Sequence, residues 1–459
     1  MKTYLGITTF TFSIFINSAA LAGAPKTAPP SEVMALYDIA TAPSAKRIQA
    51  DIQTLVDFGT RHTLSETKSD TRGIGAARRW IFAEFEKISK DCGNCLEVIY
   101  VSETISGEKR IPNPTEVVSV LAIQRGTRDP NRYVMMSGDI DSRVTDPLNS
   151  RSDSPGANDN ASGMAGVLEA ARVLTKQKYA GSIIYAGLSG EEQGLFGGKI
   201  VAKHALANGW DIKAVLNNDM ISNISGIDGV TDNTVARVFS EGTRDNETKA
   251  EARTRRFTGG EVDSPSRNLA RYVKTMADQY ITNLDVMMIY RLDRFARGGH
   301  HRPFNEVGIP AIRIMETHEH YDRQHQDLRT ENGVTYGDTM SGVNAKYAAK
   351  LTALNALTMA GIAGAPPFPS NVEASGAVKA SAVLKWDIPK KRAGANLMGY
   401  RVHWRLTTAP EWTHSRYVGK VSEYTFKNMV IDNYYFGVSS VAKDGSETPV
   451  VFPGAAGRF

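Results

Sequence analysis

An α/β layered sheet followed by a small all-β sandwich is the fold the sequence predicts, and three observations carry it. From about residue 96 to 362 short apolar runs alternate with longer helical patterns, the signature of strands covered by helices. Ala363-Gly364-Ala365-Pro366-Pro367-Phe368-Pro369 then breaks helix and strand alike and reads as a linker over 363–369. Beyond it come short alternating stretches around Ala382-Leu384-Trp386, Tyr400-Val402-Trp404, Tyr424-Phe426 and Tyr434-Phe436-Val438, punctuated by turn residues. That grammar belongs to an antiparallel sandwich occupying 370–459.

The elements follow in chain order. Lys2, an apolar stretch through Leu5, Ile7, Phe10, Phe12, Ile14 and Phe15, and then Ala20-Leu21-Ala22 form a basic, an apolar and a cleavage region. Residues 1–22 are therefore expected to be a signal peptide, and the mature chain to be exported, periplasmic or extracellular. No later run approaches the roughly 18 apolar residues that cross a bilayer. Ile48, Ile52, Leu55 and Val56, and then Trp80, Ile81, Phe82, Phe85 and Ile88, recur at helical spacing. Cys92 and Cys95, the only two cysteines, are expected to pair as a disulfide in an exported chain, where it restrains one local turn. Leu96 to Val101 reads as a strand, as do Tyr133 to Met136, Ser182 to Leu188, Ala214 to Leu216 and Ala311 to Ile314. Met164 to Leu174 and Tyr347 to Ile362 read as helices. Between Ile221 and Gly260 the composition turns charged, as a solvated insertion loop or an active-site rim would be.

Composition bounds the function without naming it. The 459 residues are 41% hydrophobic and 22% charged, which excludes a disordered chain. A formal net charge of +5 is too small over this length to mark a nucleic-acid or membrane-surface protein.

Chemistry is concentrated in five stretches, most of them at the ends of predicted strands, where an α/β sheet presents its ligand crevice. Ser137-Gly138-Asp139-Ile140-Asp141-Ser142 ends one strand in two carboxylates. Pro155-Gly156-Ala157-Asn158-Asp159-Asn160 places Asp159 just before a helix, where an N-cap is the bland alternative. Ser189-Gly190-Glu191-Glu192-Gln193-Gly194 sets adjacent carboxylates in a glycine-rich turn, so that one can bind a cation while the other faces a water. Asn217-Asn218-Asp219 ends a further strand, and an exposed strand-end Asp is its bland alternative. Residues 298–327 hold His300, His301, His318, His320 and His325, five of the nine histidines, as imidazole ligands or proton shuttles would cluster.

The order G-D-x-D-S, P-G-A-N-D-N-A-S-G, S-G-E-E-Q-G-L-F-G, N-D-M-I, H-x-x-F-x-x-x-G-I-P-A and a late His resembles the co-catalytic dizinc aminopeptidases, whose clan includes glutaminyl cyclases and glutamate carboxypeptidases. The resemblance spans residues 130 to 330. It implies a mixed, largely parallel sheet between helices and two divalent metal ions, most simply zinc. Asp159 would bridge them, Asp139 and Asp219 would complete one site, and Glu192 and His325 the other, with His320 as the runner-up for the late ligand. Glu191 would be the general base and Asp141 the carboxylate orienting the residue two places earlier. His301 and Glu316 would face the substrate pocket. The C-terminal region resembles a fibronectin type III domain, with Trp386 as its early core tryptophan and Tyr434 near its tyrosine corner, and would bind a protein or polysaccharide surface or act as a spacer.

Two departures from the family pattern stand out. Asp139 occupies the position of the usual His, which leaves three carboxylates on one metal and suits Mn or Mg there as well as zinc. His300 stands where relatives commonly carry Asp in a D-H pair, as a spare surface residue or an alternative ligand. The expected activity is a metallo-aminopeptidase acting on the N-terminal residues of peptides. A carboxypeptidase or dipeptidase of the same clan would need a basic clamp, for which Arg291, Arg294, Arg297 and Arg302 are candidates. A glutaminyl cyclase would use one metal, against which the five-ligand set argues. A metal-free binding protein with a decayed site is the alternative of another class.

Overall fold

The computed structural model describes residues 27–389 and 394–459, so the expected signal peptide lies outside the described residues. Helices α1 (Met34–Thr41), α2 (Ala45–Asp57) and α3 (Gly73–Asp91) lead in. α2 buries Ile48, Ile52 and Leu55 on one stripe and starts at Ser44, whose side chain accepts the Arg47 N–H. Cys92 and Cys95 are joined as a disulfide where α3 turns into β1 (Leu96–Ile105).

Seven further strands complete one sheet: β2 (Thr115–Gln124), β3 (Asp129–Asp139), β4 (Gly181–Leu188), β5 (Asp211–Asn218), β6 (Val235–Phe239), β7 (Asp285–Ile289) and β8 (Ala311–Glu316). Their spatial order is β1-β2-β4-β3-β5-β8-β6-β7. The central four, β4, β3, β5 and β8, are mutually parallel, and antiparallel pairings flank them. The remaining helices are α4 (Gly163–Leu174), α5 (Phe196–Ala207), α6 (Lys249–Thr258), α7 (Pro265–Tyr280), α8 (His301–Glu306) and α9 (Ala345–Gly364).

Period-two alternation divides the core. Val134 and Met136 of β3, with Ile183 and Tyr185 of β4, pack under α2, α4 and α9. Tyr133 and Met135, with Ile184 and Ala186, face α5 and α8 on the opposite side. Because the central strands are parallel, their C-terminal ends share one edge of the sheet. Gly138 and Gly163 let α4 approach that edge: a Cβ on Gly138 would lie 2.5 Å from the Gly163 carbonyl carbon.

The 221–260 region corrects the expectation of a solvated loop. Val235–Phe239 is sheet strand β6, pairing with both β7 and β8. Five residues with a central Arg237 are too short a signal against charged surroundings. α6 in the same region is a surface helix with a Thr248–Glu251 capping box and no buried residue.

After a hairpin of β9 (Arg329–Glu331) and β10 (Val334–Tyr336), α9 runs through Gly364, two residues past the expected boundary. Six strands then form two three-stranded antiparallel sheets: β11 (Ser370–Ser375), β12 (Ala382–Asp387) and β15 (Glu423–Phe426), facing β13 (Leu397–Leu406), β14 (His414–Gly419) and β16 (Tyr434–Ala442). Trp386 is buried between them, 5.2 Å ring to ring from Tyr400. Phe368, in the expected linker, is buried against Phe459.

Candidate metal and active site

The shared strand edge gathers most of the expected residues. Asp159 sits in the turn between Gly156 and α4, and that turn is held from below: Asp338 accepts the backbone N–H of Asn158 at 2.9 Å and of Asp159 at 2.7 Å. Asp159 is no helix cap. Its Oδ2 instead accepts from Gln324 Nε2 at 3.0 Å and lies 2.9 Å from His325 Nε2. The same His325 nitrogen is 2.9 Å from Glu192 Oε1. Among the described residues, Asp159, Glu192 and His325 form the one set of three metal-ligating side chains whose ligand atoms all lie within 4.8 Å of one another.

Arg143, one residue beyond the G-D-x-D-S stretch, orients two of the three. Its Nε donates to Glu192 Oε2 at 2.7 Å, and its terminal nitrogen lies 2.7 Å from His325 Nδ1. The other ring nitrogen, Nε2, faces the two carboxylates and must be free of its proton to hold a metal. Two acidic oxygens and one imidazole nitrogen, mostly shielded from water, are a donor set that suits zinc. His320 stays outside this cluster, which identifies His325 as the imidazole that meets the carboxylates.

Glu191 lines a cleft of about 460 Å³ together with Asp159, Glu192, Asp219 and His325. Burial pushes its carboxyl well above the usual range, and the charges of Glu192, Asp219, Asp139 and Asp159 add to the rise. The cleft is also lined by the cationic Arg110, Arg143, Lys199, Arg294, Arg297 and Arg302, with Glu306 beside the last.

Several residues stand elsewhere than expected. Asp141 does not orient Asp139; it accepts the backbone N–H groups of Glu191 at 3.2 Å and Glu192 at 3.0 Å and so shapes the turn carrying both. β3 ends at Asp139, and the two-residue pleat that would have aligned the pair ends with it. His301 does not line the cleft. It begins α8 fully buried, with Nε2 2.9 Å from the Leu292 carbonyl oxygen. Glu316 also turns inward, accepting from Asn158 Nδ2 at 3.0 Å and Asn223 N–H at 2.9 Å, and buttresses the Asp159 turn. His300 is neither exposed nor spare: it is fully buried with Nδ1 2.5 Å from Asp139 Oδ1.

The second expected trio, Asp139, Asp159 and Asp219, does not fit a metal ion. Asn160 Nδ2 donates to the other Asp139 oxygen at 2.7 Å, and Asp139 does not reach the cleft wall. Asp219 Oδ2 is paired at 2.9 Å with Arg313, a residue that sequence reasoning passed over. Its signal was a charge at the centre of the apolar run Ala311-Ile312-Arg313-Ile314, a placement that demands a buried partner. Asp338 carried no such signal.

Fold and cluster together define a candidate cation-binding centre at the parallel strand ends of an α/β sheet. Residues 119–345 match "Peptidase family M28". A "Probable zinc metalloprotease" of Leptosphaeria maculans is 42% identical over 94% of this chain and 99% of its own. Another of that description from Pyrenophora teres f. teres is 42% identical over 89% and 85%. The chain belongs to peptidase family M28 and is thus a metallopeptidase, with peptides as its substrate class. The Legionella pneumophila LapA aminopeptidase structure shares the fold, with a TM-score of 0.51 at 18% identity over 72% of this chain and 74% of that one. Among the described residues no helix is long and apolar enough to cross a membrane.

Proposed function

We propose that this chain is an exported zinc aminopeptidase in which Asp159, Glu192 and His325 hold zinc and Glu191 is the general base. The observation that carries the reading is the meeting of those three side chains on one wall of a cleft that Glu191 also lines. Export rests on Lys2, the apolar stretch after it and Ala20-Leu21-Ala22.

Zinc, when bound, supplies a water of lowered pKa and polarises the scissile carbonyl. Glu191 takes the proton of the attacking water and delivers it to the leaving amine. Asp141 keeps Glu191 and Glu192 divergent by fixing both their backbone N–H groups, so one carboxylate serves the ion and the other the proton. Arg143 and Gln324 hold the ligands in register.

Glu191→Gln should abolish turnover of aminoacyl anilides while leaving zinc bound, and unaltered turnover would remove Glu191 as the base. Aminoacyl substrates run beside N-acetylated controls test the exopeptidase direction, since a blocked amine stops an aminopeptidase. The arginines of the cleft favour a second reading, a carboxypeptidase or dipeptidase clamping a free carboxylate, in which Arg297 is the exposed cleft arginine and Arg302 is half-buried. Amidation of the substrate C-terminus would then abolish cleavage.

A further inference from the structure

We propose that the centre holds a single divalent ion, on Asp159, Glu192 and His325, and that the guanidinium of Arg313 stands in permanently for a second cation beside Asp219. The inference rests on the metallopeptidase reading above and departs from the two-ion arrangement that the motif order implies.

Arg313 is immobilised. One terminal nitrogen is 2.9 Å from Asp219 Oδ2 and donates to the Asp219 carbonyl oxygen at 3.1 Å. The other donates to Asp293 at 3.2 Å and to the Gly298 carbonyl oxygen at 2.9 Å. The side chain is fully buried, so no water can replace these acceptors if it swings away. A divalent ion on Asp219 would sit beside this fixed positive charge, in a buried site where repulsion is weakly screened.

The donors left to a second ion are also too few. Asp219 retains one unpartnered oxygen, Oδ1, and Asp159 can share its carboxylate. Catalytic zinc sites use three protein ligands. The third would have been residue 139, but there the two departures from the family pattern meet each other. Asp139 stands in the place of a His and His300 in the place of an Asp, and they touch at 2.5 Å. The contact places the imidazole of His300 behind the Asp139 carboxylate, away from the cleft. Neither residue lines the cleft.

The test is metal stoichiometry on the full chain, loaded with excess zinc, passed through metal-free buffer and measured by elemental analysis beside turnover of an aminoacyl anilide. One zinc per chain is expected, falling to none in Glu192→Gln and remaining one in Asp219→Asn. Two ions per chain, or loss of the single ion in Asp219→Asn with the variant's circular dichroism unchanged, overturns the inference. Two ions with turnover would leave the peptidase reading standing, whereas no bound zinc and no turnover would sink both.

Discussion

Asp338 shows how much of the centre depends on a side chain that never reaches the cleft. Its carboxylate satisfies two consecutive backbone donors and thereby fixes the direction in which Asp159 leaves the chain. Asp338→Ala strands both N–H groups, at about 1–3 kcal/mol for a buried unsatisfied donor, and releases the Asp159 turn. Zinc affinity, measured against a chromophoric chelator, should fall roughly 10–100-fold, as for other groups that orient a ligand. An unchanged affinity would show that the turn holds Asp159 without it. Such residues explain what the sequence hid. Asp159, Glu192 and His325 were legible because each lies in a motif at a strand end, ahead of a helix or in the histidine cluster. Asp338 and Arg313 act through partners about 180 and 94 positions away, and nothing local announces a contact at that range.

At the scale of elements, the parallel strands were read correctly from their apolar runs, and the convergence of their C-terminal ends followed from the topology. β6 and β7, five residues each, were missed for want of length, and the ten-residue antiparallel β2 was missed as well. β8 is the element in which fold and site are least separable, since Arg313 ties it to Asp219 after β5 and to Asp293 before α8. Burial pushes the Asp293 carboxyl up, but the Arg313, His301 and Arg294 charges outweigh it and hold it at about 2. An unfolded Asp titrates near 3.9, so the native pairing stabilises the chain above that pH and is lost as the carboxyl takes up its proton between about pH 4 and pH 2. The contribution is about 2 kcal/mol. In urea melts of the chelator-treated protein, the stability gap between wild type and Asp293→Asn should therefore narrow across that window. A gap that stays constant would mean that the ion pair adds nothing beyond packing.

The whole molecule is held together by a charge buried between its two parts. Asp263, fully buried ahead of α7, accepts from Arg405 of β13 at 2.7 Å and 2.8 Å and from Arg271 of α7 at 2.8 Å. Arg405 lies 4.7 Å from the Tyr435 ring centroid, and Trp412 Nε1 donates to Asn268 of α7 at 3.0 Å. The apolar core is continuous as well, running from α9 through Phe368 into Leu384 and Val438. A module on a slack tether would show neither feature, so the sandwich and the peptidase domain are expected to unfold together, in one calorimetric transition. Asp263→Ala leaves two guanidinium groups buried without their counter-ion, and breaking such a pair from one side costs about 3–5 kcal/mol. The variant should melt at lower temperature, with the sandwich loosening first and the zinc site persisting until the second step. Two well-separated transitions in the wild-type chain would show instead that the interface couples nothing and that each part stands on its own core.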